Sequence, residues 1–115
     1  MLFGLIEDDR ETAPGIEVIQ APGHLPGHLI VSAKSGAEQL LFTSDTFIHP
    51  IHIEHPEWYT EFETYGEKAV ATRTQILEKA SQEKALVLSF HFPFPGLGYI
   101  IKKNAQFKWL PFEIR

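Results

Sequence analysis

Two histidines lie four residues apart in a glycine- and proline-rich segment, APGHLPGH, at residues 21–28. Glycine and proline favour a tight, non-helical turn, and an apolar run typical of a strand follows at 29–33. We therefore predict that His24 and His28 lie at the mouth of a strand. Imidazole nitrogen is a common zinc ligand, so this turn is either a metal-binding element or one whose histidines hydrogen-bond to the backbone.

Two further groups of the same chemistry follow predicted strands. Asp45 comes after the run at 39–43, and His91 comes after the apolar run at 85–90. With His28 they form a set of two imidazoles and one carboxylate, which suits zinc, or manganese or iron with similar geometry. The alternative is that all three are polar groups at strand ends whose partners are backbone atoms.

A second group of histidines, His49, His52 and His55, recurs every three residues. This spacing resembles a metal-binding tract, but Pro50 and Pro56 interrupt any continuous helix through it. We predict that these histidines instead line a loop on the substrate side of the molecule. His24 is predicted to support the turn, or to orient a neighbouring ligand through its other nitrogen.

The elements that must position these residues follow from hydrophobic periodicity and turn signals. The pattern predicts strands at residues 2–6, 16–20, 29–33, 39–43, 85–90, 99–102 and 106–110. A polar turn is expected at 7–12 and an irregular segment at 47–62. One amphipathic helix is expected at 66–84, with Thr64 as its N-cap and Glu67 completing a capping box. The predicted class is α/β or α+β, a mostly antiparallel or mixed sheet with one long helix.

Composition limits the classes of protein to which the chain can belong. Its 115 residues suit a single domain, and 43% hydrophobic with 22% charged residues is typical of a globular protein. The formal net charge of −5, with scattered Lys and Arg, argues against nucleic-acid binding. No apolar run is long enough to cross a membrane. Cysteine is absent, which excludes disulfides and thiolate ligands and suggests a cytoplasmic location.

These motifs together resemble the C-terminal half of a metallo-β-lactamase-fold hydrolase. The matching pieces are APGHLPGH at 21–28, LLFTSD at 40–45, HPEW at 55–58, ATR at 71–73 and HFPFPGLG at 91–98. The resemblance implies that residues 1–115 form about half of an αββα sandwich. It also implies that His28 and His91 bind different metal ions and that Asp45 bridges them. The implied activity is metal-dependent hydrolysis of an ester, lactone, amide or thioester, with Asp45 orienting the attacking water.

The chain departs from the family pattern at two points. Ser44 precedes Asp45 where the family usually has glycine, so its side chain either crowds a close backbone approach or adds a hydrogen bond. The H-x-H-x-D-H metal motif of the family does not occur in these residues, so each metal would keep two protein ligands, fewer than a catalytic zinc site normally has. We therefore expect an incomplete site. Zinc is the metal that the resemblance implies, but this chain alone need not hold it.

An incomplete half-sandwich leaves a sheet face in need of a partner. We expect either a homodimer or pairing with a complementary N-terminal half, acting on a small-molecule substrate. The alternative function is a noncatalytic module that dimerises or binds a small ligand. A third interpretation is an unrelated small β-barrel metalloprotein. It ranks last because it does not account for the predicted helix between Asp45 and His91.

Overall fold

A computed structural model of the chain describes residues 8–23, 27–58 and 66–113. Seven strands in these ranges form one mixed sheet in which spatial order follows chain order. The strands are β1 (Arg10–Ala13), β2 (Ile16–Gln20), β3 (Leu29–Ser35), β4 (Glu38–Phe42), β5 (Leu86–Leu88), β6 (Leu97–Lys103) and β7 (Gln106–Pro111). All neighbouring pairs are antiparallel except β4 and β5, which are parallel. The predicted α+β class and mixed sheet are confirmed.

Between β4 and β5, the chain forms two helices, α1 (Ile51–Glu54) and α2 (Gly66–Glu83). The long helix begins and ends close to the predicted positions, although Thr64, its expected N-cap, lies outside the described residues. Its buried positions recur every three or four residues, as expected for one face of a helix on a sheet. They are Ala69, Thr72, Arg73, Ile76, Leu77 and Ala80.

The main core lies between α2 and one face of the sheet. Ile30, Leu41, Val87 and Ile100 come from four strands and are 4% exposed or less. Leu41 and Val87 are directly opposite each other in the parallel pair. The core therefore extends across the pairing of β4 with β5. Phe47, in the segment that follows β4, joins the same apolar cluster.

The opposite face of the sheet, which we call the outer face, is also apolar. Side chains of directly paired residues point to the same side, and strand register places two apolar rows across this face. One row contains Val18, Val31, Phe42, Leu88 and Leu97, and the other contains Ile16, Ala33, Leu40 and Leu86. All of these residues but Val18 are only partly buried.

Three sequence predictions were wrong in detail. Residues 10–13, expected within or beside a polar turn, form the edge strand β1, because backbone pairing with β2 needs no buried side chains. The irregular segment 47–62 contains the short helix α1, which begins directly after Pro50. Strand β5 is shorter than the predicted 85–90. The predicted strand at 2–6 lies outside the described residues. Within the described ranges, no helix is long and apolar enough to cross a membrane.

Candidate metal-ligand site at the strand ends

His28 is held at both ring nitrogens just before β3. Its Nδ1 lies 2.8 Å from the carbonyl oxygen of Ala21, which can only accept, so Nδ1 carries the proton. Its Nε2 accepts a hydrogen bond from the backbone N–H of Asp45 at 2.8 Å. The two contacts fix one tautomer and orient the imidazole towards the end of β4.

Asp45 and His91 meet at the same edge of the sheet. Because β4 and β5 are adjacent and parallel, the residues that follow them leave from neighbouring strand ends. The Oδ1 atom of Asp45 lies 2.6 Å from Nε2 of His91. The structure therefore brings together the three residues singled out from the sequence, with Asp45 between two imidazoles.

Ser44 adopts a left-handed backbone conformation, with φ of 49°. This conformation favours glycine, which explains the glycine that the resemblance leads one to expect at this position. The hydroxyl of Ser44 donates a hydrogen bond to the carbonyl oxygen of Leu29 at 2.7 Å. Of the two predicted effects of this serine, the structure shows the added hydrogen bond, which joins the turn before Asp45 to the start of β3.

An aromatic side chain flanks the ring of His91. Phe90 has its ring centroid 4.2 Å from that of His91 and stacks on Phe42 at 5.9 Å. It is nevertheless 57% exposed. Phe90 thus links the candidate site to the outer face, since Phe42 belongs to one of its rows.

Arg73 is a residue whose role the sequence analysis did not predict. Its side chain is fully buried, and its Nε donates to the carbonyl oxygen of Thr46 at 2.8 Å. Its Nη1 donates to the carbonyl oxygens of Trp58 at 2.9 Å and Pro56 at 3.3 Å. The sequence does place this charged residue at an apolar position of the helical repeat, and that position could have indicated a buried side chain with specific partners.

The other histidines make separate local contacts. His49 and His52 accept hydrogen bonds at Nδ1 from the backbone N–H groups of Ile51 and Ile48, while His55 stacks on Trp58 with ring centroids 4.3 Å apart. Burial, followed by the charges of Arg73 and His49, lowers the pKa of His52 to about 4. The substrate-side roles of His49 and His55 stay predictions, and His24 lies outside the described residues.

The donor atoms suit zinc in kind but not in number. Imidazole and carboxylate are ordinary zinc ligands. However, Nε2 of His28 and Oδ1 of Asp45 are both engaged within the cluster. Over residues 8–23, 27–58 and 66–113, no group of three or more His, Cys, Asp or Glu side chains is arranged to hold a metal ion. The described part of the chain therefore does not form a metal site by itself.

Part of the chain is similar in sequence to known lactonases. No protein-family model matches the chain. An N-acyl homoserine lactonase from a Bacillus species is 32% identical over 92 residues, which cover 77% of this chain and 35% of that protein. Its counterpart from Bacillus cereus shows the same identity and coverage. The chain thus spans about a third of the length of the curated relatives it matches.

Solved structures show the same partial relationship. AidC, a dizinc quorum-quenching lactonase, superposes with a TM-score of 0.86 at 29% identity, covering 96% of this chain and 38% of that one. The hydrolase AbOPH of the β-lactamase superfamily superposes with a TM-score of 0.84 at 26% identity, covering 91% and 37%. The chain is a partial module with the fold of metallo-β-lactamase superfamily hydrolases.

Proposed function

We propose that this chain contributes His28, Asp45 and His91 to the metal centre of a zinc-dependent hydrolase that opens lactones or related esters. The observation that carries this proposal is the position of Asp45, which contacts both imidazoles at adjacent strand ends. Relatives named as N-acyl homoserine lactonases and a dizinc lactonase with the same fold support it. Zinc, when bound, would lower the pKa of a water molecule to about 7.

The residues of this chain act before any chemistry, by placing donor atoms. The proton on Nδ1 of His28 leaves its Nε2 as the atom that faces Asp45. The carboxylate of Asp45 faces His91. Phe90 provides an apolar wall beside His91, which suits the hydrocarbon part of an acyl substrate.

We further propose that the missing ligands and the cover of the outer face come from a complementary N-terminal half. The match leaves more than 60% of each of these relatives uncovered, which is enough polypeptide for a second half-sandwich. The outer face offers a groove of 720 Å³ whose lining includes Ile16, Leu40 and Tyr99. A homodimer through the same face is the competing arrangement. A cytoplasmic location stays a prediction.

A domain-replacement experiment tests the proposal. The matched 38% of AidC is exchanged for this chain, and zinc content and hydrolysis of N-hexanoyl homoserine lactone are measured in the folded chimera. We expect stoichiometric zinc and measurable hydrolysis. His28→Ala and His91→Ala should lose both properties, whereas Thr74→Ala, at an exposed position of α2, should retain them.

The competing function is a noncatalytic module, favoured by the incomplete donor set. It predicts a folded chimera that holds no zinc and hydrolyses nothing, and this outcome would refute the hydrolase proposal. Analytical ultracentrifugation of the 115-residue chain tests the partner: a stable dimer lost on Leu40→Glu would support a homodimer and contradict the complementary half.

A further inference from the structure

Two adjacent residues of α2 reach two different loops of the candidate site. Thr72 is 7% exposed, and its hydroxyl donates to the carbonyl oxygen of Pro22 at 2.6 Å. Arg73, fully buried, donates from Nε to the carbonyl oxygen of Thr46. One turn of helix is therefore bonded both to the segment that precedes His28 and to the segment that follows Asp45.

The connection from Thr72 to His28 is short. Pro22 is next to Ala21, whose N–H donates to the carbonyl oxygen of His28 at 2.9 Å and whose own carbonyl oxygen accepts from Nδ1 of that histidine. Gly23 lies so close to α2 that a Cβ atom there would come within 2.3 Å of the Cα atom of Ala69. A displacement of residues 21–23 from the helix would therefore move the imidazole of His28.

The connection from Arg73 to Asp45 is equally direct. Thr46, whose carbonyl oxygen accepts from Arg73, is the next residue in the chain, and the N–H of Asp45 in turn donates to His28. The two connections thus close a ring that runs from the helix through both loops and back. Burying a guanidinium is a poor way to gain stability alone, since apolar residues of the same volume do as well or better.

We propose that Thr72 and Arg73 are a pair of positioning residues that hold His28 and Asp45 in register with each other. Their carbonyl partners lie within one residue of Ala21 and Asp45, so the helix sets the separation of the two loops. The importance of this register rests on the proposed function, which makes His28 and Asp45 metal ligands. The geometric claim can be measured without metal or substrate.

The test is hydrogen exchange of the Asp45 amide in the 115-residue chain, together with long-range ¹H–¹⁵N correlation of the His28 ring. Thr72→Val removes one hydroxyl donor at nearly constant volume. We expect Asp45 to exchange about fivefold faster, equivalent to about 1 kcal/mol, and the signal of the single His28 tautomer to weaken. Thr72→Ser restores the donor and should restore both readouts.

The matched control is Thr74→Val. Thr74 is exposed, and its hydroxyl donates to Val70 within the same helix, so its removal should leave Asp45 and His28 unchanged. Arg73→Lys keeps the charge but loses the fork of donors, and should accelerate Asp45 exchange in the same direction.

A purely structural role gives a different result. Thr72→Val would then reduce protection of Leu41, in the buried central strand, while Asp45 exchange and the His28 tautomer stayed as in the unmodified chain. That result would overturn the proposal, and the Thr72 series decides it even if the Arg73 variant does not fold. Loss of hydrolysis in the chimera described above would refute the proposed function without altering these readouts.

Discussion

Ser44 offers a test in which backbone strain and a side-chain hydrogen bond can be separated. The residue combines a left-handed conformation with a hydroxyl bond to Leu29. Ser44→Ala removes the bond and keeps a Cβ atom in the unfavourable conformation. Ser44→Gly removes the bond and relieves the conformation. The two variants therefore differ mainly in the cost of the left-handed backbone.

The magnitudes follow from these two contributions. Loss of a hydrogen bond of 2.7 Å between a hydroxyl and a backbone carbonyl should lower the free energy of unfolding of Ser44→Ala by about 1 kcal/mol. A non-glycine residue in the left-handed region costs roughly 1–2 kcal/mol. Part of this relief is offset by the greater freedom of glycine in the unfolded chain. Ser44→Gly should therefore be within about 0.5 kcal/mol of the unmodified chain, by the difference of those contributions.

Urea unfolding followed by circular dichroism measures both variants, provided that the slope with denaturant stays constant. Ser35→Ala, at an exposed position at the end of β3, is the matched control and should change stability by less than about 0.5 kcal/mol. The reasoning fails if Ser44→Ala is as stable as the unmodified chain, or if Ser44→Gly is less stable than Ser44→Ala.

Two further predictions concern the segments around the site. The pKa of His52 is lowered to about 4 in the folded chain, so the unfolded chain takes up the proton first; the free energy of unfolding should fall between pH 6.5 and 4 by up to about 1.4 kcal/mol per pH unit. His52→Asn should flatten this slope in urea unfolding across that range. His49→Asn should keep most of it, because burial and not the charge of His49 is the largest cause of the lowered pKa, and an equal slope in both variants would contradict the burial argument. Gly23→Ala forces a Cβ atom against Ala69 and should destabilise by about 1–3 kcal/mol. Gly27→Ala meets no atom within 4 Å and should have no effect on the melting temperature, so equal losses in the two alanine variants would refute the close-contact argument.

The sequence allowed the strands that carry the site to be predicted because their signals are local. Residues 16–20 are bounded by turn residues and coincide with β2, and the helical repeat from Ala69 to Ala80 matches the buried face of α2. Asp45 and His91 could be expected to meet because both follow strands. Two short local patterns therefore predicted a contact between residues that are far apart in the sequence.

The parts that could not be predicted depend on contacts between distant segments. The backbone bond from Asp45 to His28 requires a particular separation of two loops, which no local pattern specifies. Arg73 could be placed on the apolar face of a helix, but the carbonyl groups to which it is seen to donate lie 15 to 27 residues away. Strand β1 escaped prediction because its four residues are all exposed, so no alternation of apolar and polar side chains marks it.

The parallel pairing of β4 with β5 makes the proximity of Asp45 and His91 independent of much of the sequence between them. Asp45 and His91 are 46 positions apart, yet their proximity depends on the direct pairing of β4 with β5. The crossover between these strands can therefore gain, lose or exchange residues in its surface segments without altering the distance between the two side chains. A crossover of this kind allows the surroundings of a site to diversify while its central pair of residues stays in place.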